Sequence, residues 1–291
     1  MSEPVIQTRG LTRRFGDLVA VDGLDLTVER GQIFGFLGRN GAGKTSTIKM
    51  LLGLLHPSAG QMHVLGQEPS VGNVELKQRI GYVSESPQLY PWMRVREAID
   101  FTRAFYPTWN NEHVAQLLDQ FGLDPEQRVK NLSRGMGAQL ALLLAMGHEP
   151  ELLILDEPAT GLDVLVRRDF LESIVHVIQQ QGRTVLLSSH MVHEVERVAD
   201  RVAVIEGGRL LACDDTDAFK GRVKKVLVRV TPEVIEAVSQ VEGVSEVEGH
   251  GDRRLLTMSN YSDEQQTALR TAGAEVVDIV DMSLEESFIE L

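Results

Sequence analysis

A chain of 291 residues with 43% hydrophobic residues is long enough for one large domain, or for a large domain followed by a small one. Its formal net charge of −13 argues against a nucleic-acid-binding surface, which would show as a basic excess. The single cysteine, Cys213, excludes an internal disulfide and suits a reducing compartment. No apolar run approaches about 18 residues, and Met1-Ser2-Glu3-Pro4 does not open a signal peptide, so the expectation is a soluble, cytoplasmic protein that meets a membrane only through a partner.

Residues 5–8 and 18–21 read as short strands joined by a turn containing Arg13-Arg14-Phe15-Gly16-Asp17, and residues 24–28 alternate as a further antiparallel strand. Gln32-Ile33-Phe34-Gly35-Phe36-Leu37 is apolar and partly aromatic, the pattern of a buried strand. It leads into Gly38-Arg39-Asn40-Gly41-Ala42-Gly43-Lys44-Thr45, which fits G-x-x-x-x-G-K-[ST], and then into Ser46 to Leu55 with apolar residues at helical spacing. Strand, glycine loop and helix in that order form a phosphate cradle. The glycines let successive backbone N–H groups ring the phosphates, and the helix N-terminus adds its positive end. Lys44 would reach the β- and γ-phosphates and the Thr45 hydroxyl would hold Mg²⁺. A glycine-rich turn ahead of a core helix is the bland alternative.

Residues 62–65 and 80–83 are strand candidates, the second ending in Ser84-Glu85-Ser86-Pro87. Residues 95–121 turn helical, with a break at Pro107-Thr108. Asn131-Leu132-Ser133-Arg134-Gly135-Met136 precedes a buried helix over 139–146, and Ser133 is a good cap for it. Residues 151–157 form a buried strand ending in Asp156 and Glu157, where an unpaired charge costs several kcal/mol. The two carboxylates either cap the next turn or do chemistry. An amphipathic helix follows over 164–180, with Asp163 a candidate cap, then a strand over 184–190 with a polar end at His190. Strands alternating with helices imply a mainly parallel sheet covered on both faces, and such sheets bind ligands at the strands' carboxyl ends, where Gly38, Asp156 and His190 all fall.

A hairpin at 201–205 and 207–211 closes this region, and a boundary is expected near Gly221. The last 70 residues read as strand, helix, two strands, helix and strand, the order of a split-βαβ, ferredoxin-like domain over 222–291.

Gly38 to Thr45, Leu132-Ser133-x-Gly135, Leu152 to Glu157, Gly161-Leu162-Asp163 and His190 occur in the order of the ABC-transporter ATPase cassette, which the chain resembles from residue 1 to about 215. The ending Leu284-Glu285-Glu286-Ser287-Phe288 and the variant signature Ser133-Arg134-Gly135-Met136 are similar to the drug-resistance type of exporter. The resemblance implies an α/β P-loop NTPase fold: a mainly parallel core sheet, an antiparallel β subdomain and a helical subdomain at about 86–150, all within 1–220. It implies two cassettes facing head to tail, each ATP lying between one phosphate loop, Gly38 to Ser46, and the other chain's Ser133 and Gly135. In that scheme Asp156 serves Mg²⁺, Glu157 polarises the attacking water, His190 senses the γ-phosphate, and Phe15 lies against adenine. Glu85 stands where the commoner pattern has Gln, beside metal and water, and Arg134 stands where it has Gly.

The partners so implied are a second cassette, as a homodimer, and a separate transmembrane permease at the inner face of the membrane. Gln88 to Met93 offers an aromatic loop for docking a short permease helix, or else a satellite core. Soluble cassettes acting on ribosomes or DNA fit less well. Only 112 positions separate Lys44 from Asp156, too few for a long coiled-coil insertion, and the balance is acidic. A nucleotide-gated interaction module with little turnover is the remaining alternative.

Overall fold

The computed structural model describes residues 3–179, 183–221, 223–259, 261–282, 284 and 286. The chain divides into two compact units, Met1–Cys213 and Asp214–Leu291.

In the first unit, β1 (Ile6–Phe15) and β2 (Leu18–Val28) form a long antiparallel ladder running from Ile6 opposite Val28 to Phe15 opposite Leu18. The strands expected at 18–21 and 24–28 are therefore one strand, and Arg13 to Phe15 belong to β1, leaving only Gly16-Asp17 to the turn. The reason lies at Gly10 and Gly23. Both sit at positive φ, 57° and 66°, and absorb register shifts that would otherwise end the ladder.

The parallel core is built on β3 (Ile33–Leu37), buried along its whole length. After α1 (Lys44–Leu51), β4 (Ala59–Val64) pairs with the free side of β1. Next come α2 (Val74–Gln78) and β5 (Ile80–Val83), then α3 (Val95–Arg103) and α4 (Asn111–Gln120), with the expected helix break between them. Then follow α5 (Arg134–Met146), β6 (Leu152–Asp156), α6 (Val164–Gln179), β7 (Thr184–Ser189), α7 (Val192–Glu196), β8 (Arg201–Glu206) and β9 (Arg209–Asp215). Gln180, the expected end of α6, lies outside the described residues.

The main sheet runs β5-β6-β7-β3-β8-β9, with parallel pairs from β5 through β8. Helix α1 lies between the two sheets, against β6 on one side and β2 and β4 on the other. Ile48, Met50 and Leu51 thereby join Phe34, Phe36 and Leu26 in one core. Each such burial contributes roughly 1.5–3 kcal/mol, and together they hold the loop before α1 in one place.

The second unit starts with α8 (Thr216–Gly221) and β10 (Val223–Arg229). A 3₁₀ turn at Pro232–Val234, α9 (Ile235–Ser239), β11 (Val244–Glu248), β12 (Arg253–Ser259), α10 (Asp263–Thr271) and β13 (Glu275–Asp281) complete it. Its strands pair antiparallel in the order β11-β12-β10-β13, around Val226, Val228, Val238, Leu256, Met258 and Leu269. Of the expected tail motif, Glu285, Ser287 and Phe288 lie outside the described residues. Among the described residues no helix is long and apolar enough to cross a membrane.

Candidate functional site

Two glycines of the loop between β3 and α1 have no room for a side chain, and a third, Gly41, faces open space but sits at φ 84°. A Cβ on Gly38 would lie 2.5 Å from the Ile205 carbonyl oxygen, and one on Gly43 would lie 2.4 Å from that of Ala20. Gly43 also takes φ 109° as it starts α1, a conformation costly for other residues. The loop is held from behind: Gly38 N–H donates to the Ser189 carbonyl (3.3 Å), Ala42 N–H to that of Arg39 (3.1 Å), and Gly208 N–H to that of Ala42 (3.0 Å). Beginning α1 at Lys44 leaves the first-turn N–H groups without partners inside the helix.

In front of this loop is a cavity of about 370 Å³. Phe15, Arg39, Asn40, Gly41, Gly43, Lys44, Thr45, Ser46, Glu85 and Glu157 line it, with Leu18 and Ala20. Gly38 and Ala42 belong to the loop but do not line the cavity.

Lys44 curls back on its own chain. Its Nζ donates to the carbonyls of Gly38 (2.5 Å) and Arg39 (3.3 Å) and forms an ion pair with Glu157 Oε1 at 3.1 Å. Both side chains are buried. The other Glu157 oxygen, Oε2, meets His190 Nδ1 at 2.7 Å and accepts a long bond from Thr160 Oγ1 at 3.4 Å. Glu157 lies just past β6 at φ 51°, a left-handed conformation that costs a non-glycine residue about 1–2 kcal/mol. Two bonds from its N–H hold it there, to the carbonyl and the hydroxyl of Ser188 (3.2 and 3.1 Å).

The same Ser188 hydroxyl donates to Asp156 Oδ1 at 2.7 Å, and Thr45 Oγ1 reaches that oxygen at 3.4 Å. Burial and the charge of Asp156 push the Tyr82 phenol up to about 12, so it remains neutral beside the site. Ser188 thus positions both carboxylates, a role the sequence reading missed. Its available signal was a pair of serines, Ser188-Ser189, closing an otherwise apolar strand.

A buried polar chain leaves the site from Ser189. Its hydroxyl donates to Glu194 Oε2 (2.8 Å), and Glu194 Oε1 faces Arg167 Nε at 3.3 Å. Arg167 Nη2 in turn donates to the Leu162 carbonyl (3.0 Å), inside the Gly161-Leu162-Asp163 loop. The segment around His190 and the loop ahead of α6 are therefore tied through one ion pair.

Ser133 and Gly135 stand apart from the phosphate-loop cavity. Ser133 caps α5 by accepting from Met136 N–H at 3.2 Å. A Cβ on Gly135 would lie 2.4 Å from Val166 Cγ1, so the glycine has a packing reason of its own. Arg134 donates from Nη1 to the Gly161 carbonyl (3.3 Å), which ties the two loops. Arg134 and Gly161 share a cavity of about 420 Å³ with Glu85. The aromatic loop is no satellite core: Tyr90 and Trp92 are 43% and 63% exposed, in tilted contact with each other and continued edge-on by Phe101 and Phe105.

The family described as "ABC transporter" matches residues 21–160. The chain is 33% identical to the bacitracin transport ATP-binding protein BcrA of Bacillus licheniformis over 98% of this chain and 95% of that protein. It is 40% identical to the Nod factor export ATP-binding protein I of Burkholderia lata, over 71% of this chain and 69% of that one. Among solved structures, an ATP-binding subunit of an ABC transporter superposes with a TM-score of 0.66 at 26% identity, covering 74% of this chain and 92% of the other. With a glycine loop and a buried lysine after β3, paired carboxylates at the end of β6 in the same parallel sheet, and likeness to BcrA running almost end to end, the chain belongs to the ABC transporter family, as an ATP-binding cassette subunit.

Proposed function

We propose that the chain is the ATP-hydrolysing subunit of an ABC exporter, and that two copies close around two ATP molecules to drive a separate membrane permease. One observation carries the reading: a single cavity is walled by the phosphate loop, Lys44, Thr45, Glu85, Glu157 and the half-exposed Phe15. Phe15 offers a ring for adenine, while Lys44 and the N–H groups at the start of α1 take the phosphates. Glu157, bonded to His190, is the carboxylate available to accept a proton from water, and His190 orients it.

The oxygens of Thr45 and Asp156, 3.4 Å apart, suit Mg²⁺, a hard cation that prefers oxygen ligands. Among the described residues no group of three or more His, Cys, Asp or Glu is gathered to hold a metal alone. That agrees with an ion bound partly by substrate phosphates and water. When bound, Mg²⁺ supplies charge neutralisation at the phosphate oxygens. Glu85, exposed on the same cavity, is the third candidate ligand and the link toward the permease.

Ser133 and Gly135 lie away from this cavity, so their proposed role is to complete the site of a second, identical chain. The permease contact falls to the exposed aromatic group of Tyr90, Trp92, Phe101 and Phe105. Beside it is an apolar cavity of about 380 Å³ bounded by Tyr82, Leu89, Tyr106 and Leu144, with room for a few apolar side chains from one face of a short amphipathic helix. Through that contact the subunit is held at the inner face of the membrane. Export follows from the likeness to bacitracin-transport and Nod-factor-export subunits.

The test is ATP turnover by the purified protein with Mg²⁺, alongside Lys44→Ala. The expected result is hydrolysis in the parent and a fall of at least about 100-fold in the variant. Tight ATP binding without hydrolysis, even in a single turnover with a permease present, would replace this reading by a nucleotide-gated interaction module.

A further inference from the structure

We propose that Arg13 is a positioning residue of the base site: its guanidinium closes one face of the Phe15 ring and leaves the other, polarised face for the adenine. The inference rests on the reading of Phe15 as the adenine platform. The Arg13 guanidinium carbon lies 4.5 Å from the Phe15 ring centroid, within the range of a cation–π contact. Its Nη1 is anchored by a 2.7 Å bond to the His56 carbonyl. Among the described residues no carboxylate lies within ion-pair distance of Arg13, so its charge is left to act on the ring.

The end of β1 is pinned to the same segment. Arg14 N–H donates to Ser58 Oγ (3.0 Å), and Ser58 N–H to the Thr12 carbonyl (2.7 Å). That segment follows α1, the helix opened by Lys44, so ring and phosphate loop share one support. With one face covered, Phe15 is still 46% exposed and lines the phosphate-loop cavity with Leu18, its partner across the turn.

Two effects follow. The stacked ring has given up its rotamer freedom before the nucleotide arrives, which lowers the cost of binding. The cation on the far face draws π density from the ring, and this favours the electron-rich purine on the near face.

The experiment is calorimetric titration of the full chain with Mg-ADP and, separately, with Mg-pyrophosphate, which has no base. Arg13→Ala and Arg13→Gln are expected to weaken ADP about two- to fivefold and to leave pyrophosphate unchanged. Arg13→Lys should stay within about twofold of the parent for ADP. Far-UV circular dichroism and thermal unfolding check independently that each variant is folded. Parent-like ADP binding in Arg13→Ala, with ADP weakened in Phe15→Ala, overturns the inference and leaves the platform standing. Parent-like ADP binding in Phe15→Ala overturns both. Equal weakening of ADP and pyrophosphate in Arg13→Ala also overturns it, because the guanidinium would then act on the phosphates and not through the ring.

Discussion

The Lys44 ammonium is already taken, and the carboxylate that takes it is Glu157. Any nucleotide must draw the ammonium off that carboxylate, so Glu157→Gln should tighten ADP. At 3.1 Å and an effective dielectric of about 20, the Coulomb attraction of the pair is about 5 kcal/mol. Most of this is offset, because both groups are buried and each gave up hydration to meet. Lys44 also keeps the carbonyls of Gly38 and Arg39 in the variant. A net gain of about 1–2 kcal/mol is left, or roughly 5- to 30-fold in affinity.

ADP is the right ligand because it cannot turn over, and calorimetry gives its Kd directly. The gain should persist between about 0.05 and 0.5 M salt, since a buried pair is poorly screened. Lys44→Met and the double variant complete a cycle. If Glu157→Gln tightens ADP as much in the Lys44→Met background as in the parent, the lysine is not the route. Unchanged ADP affinity in the single variant would mean that the ion pair does not compete with nucleotide for Lys44.

Three further outcomes follow from the same contacts. His148 is buried, stacked on Tyr106 at 3.8 Å, and held down to about 4, chiefly by burial, with the nearby Arg183 acting in the same direction. Between about pH 6.5 and 4 the unfolded chain binds the extra proton. Stability therefore falls as pH drops through that window, by about 3 kcal/mol in full, and denaturant titrations of His148→Asn should lack that component of the slope. Ser188→Ala removes the hydroxyl shared by Asp156 and the Glu157 N–H, and should cost about 2 kcal/mol in thermal unfolding together with a fall in ATP turnover. Arg167→Ala strands the buried Glu194 carboxylate and should destabilise by roughly 3 kcal/mol, with Arg167→Ala/Glu194→Gln recovering part of the loss.

What could be read from the chain beforehand was whatever depends on local pattern. The glycine loop, the apolar strands running into Asp156 and toward His190, and the Ser133 cap each follow from residue type at close spacing, and each element is there. The join of residues 18–28 into one strand was not legible, because Gly23 serves equally as a turn residue and as a bulge; only the long partner strand decides. The short helices α2 and α7 carry too few turns to show a period. Ser188, the Glu194–Arg167 pair and the Arg13–Phe15 stack were hidden for a different reason. The first two gain their meaning from neighbours on other elements, while Arg13 and Phe15, two apart on one strand, share a face only because β1 runs on through residues that read as a turn. Lys44 and Glu157 each stand out in the sequence as functional, but that each holds the other is a property of the fold alone.

In the proposed cycle Glu157 drives hydrolysis in a site closed by Ser133 and Gly135 of a second copy. The most direct measurement is sedimentation of Glu157→Gln at saturating Mg-ATP, with turnover followed in parallel and with Ser133→Arg as a second change. Turnover should be lost while an ATP-dependent dimer accumulates, and that dimer should disappear once Ser133 is replaced. Undiminished hydrolysis in Glu157→Gln, or a dimer indifferent to Ser133→Arg, would contradict it.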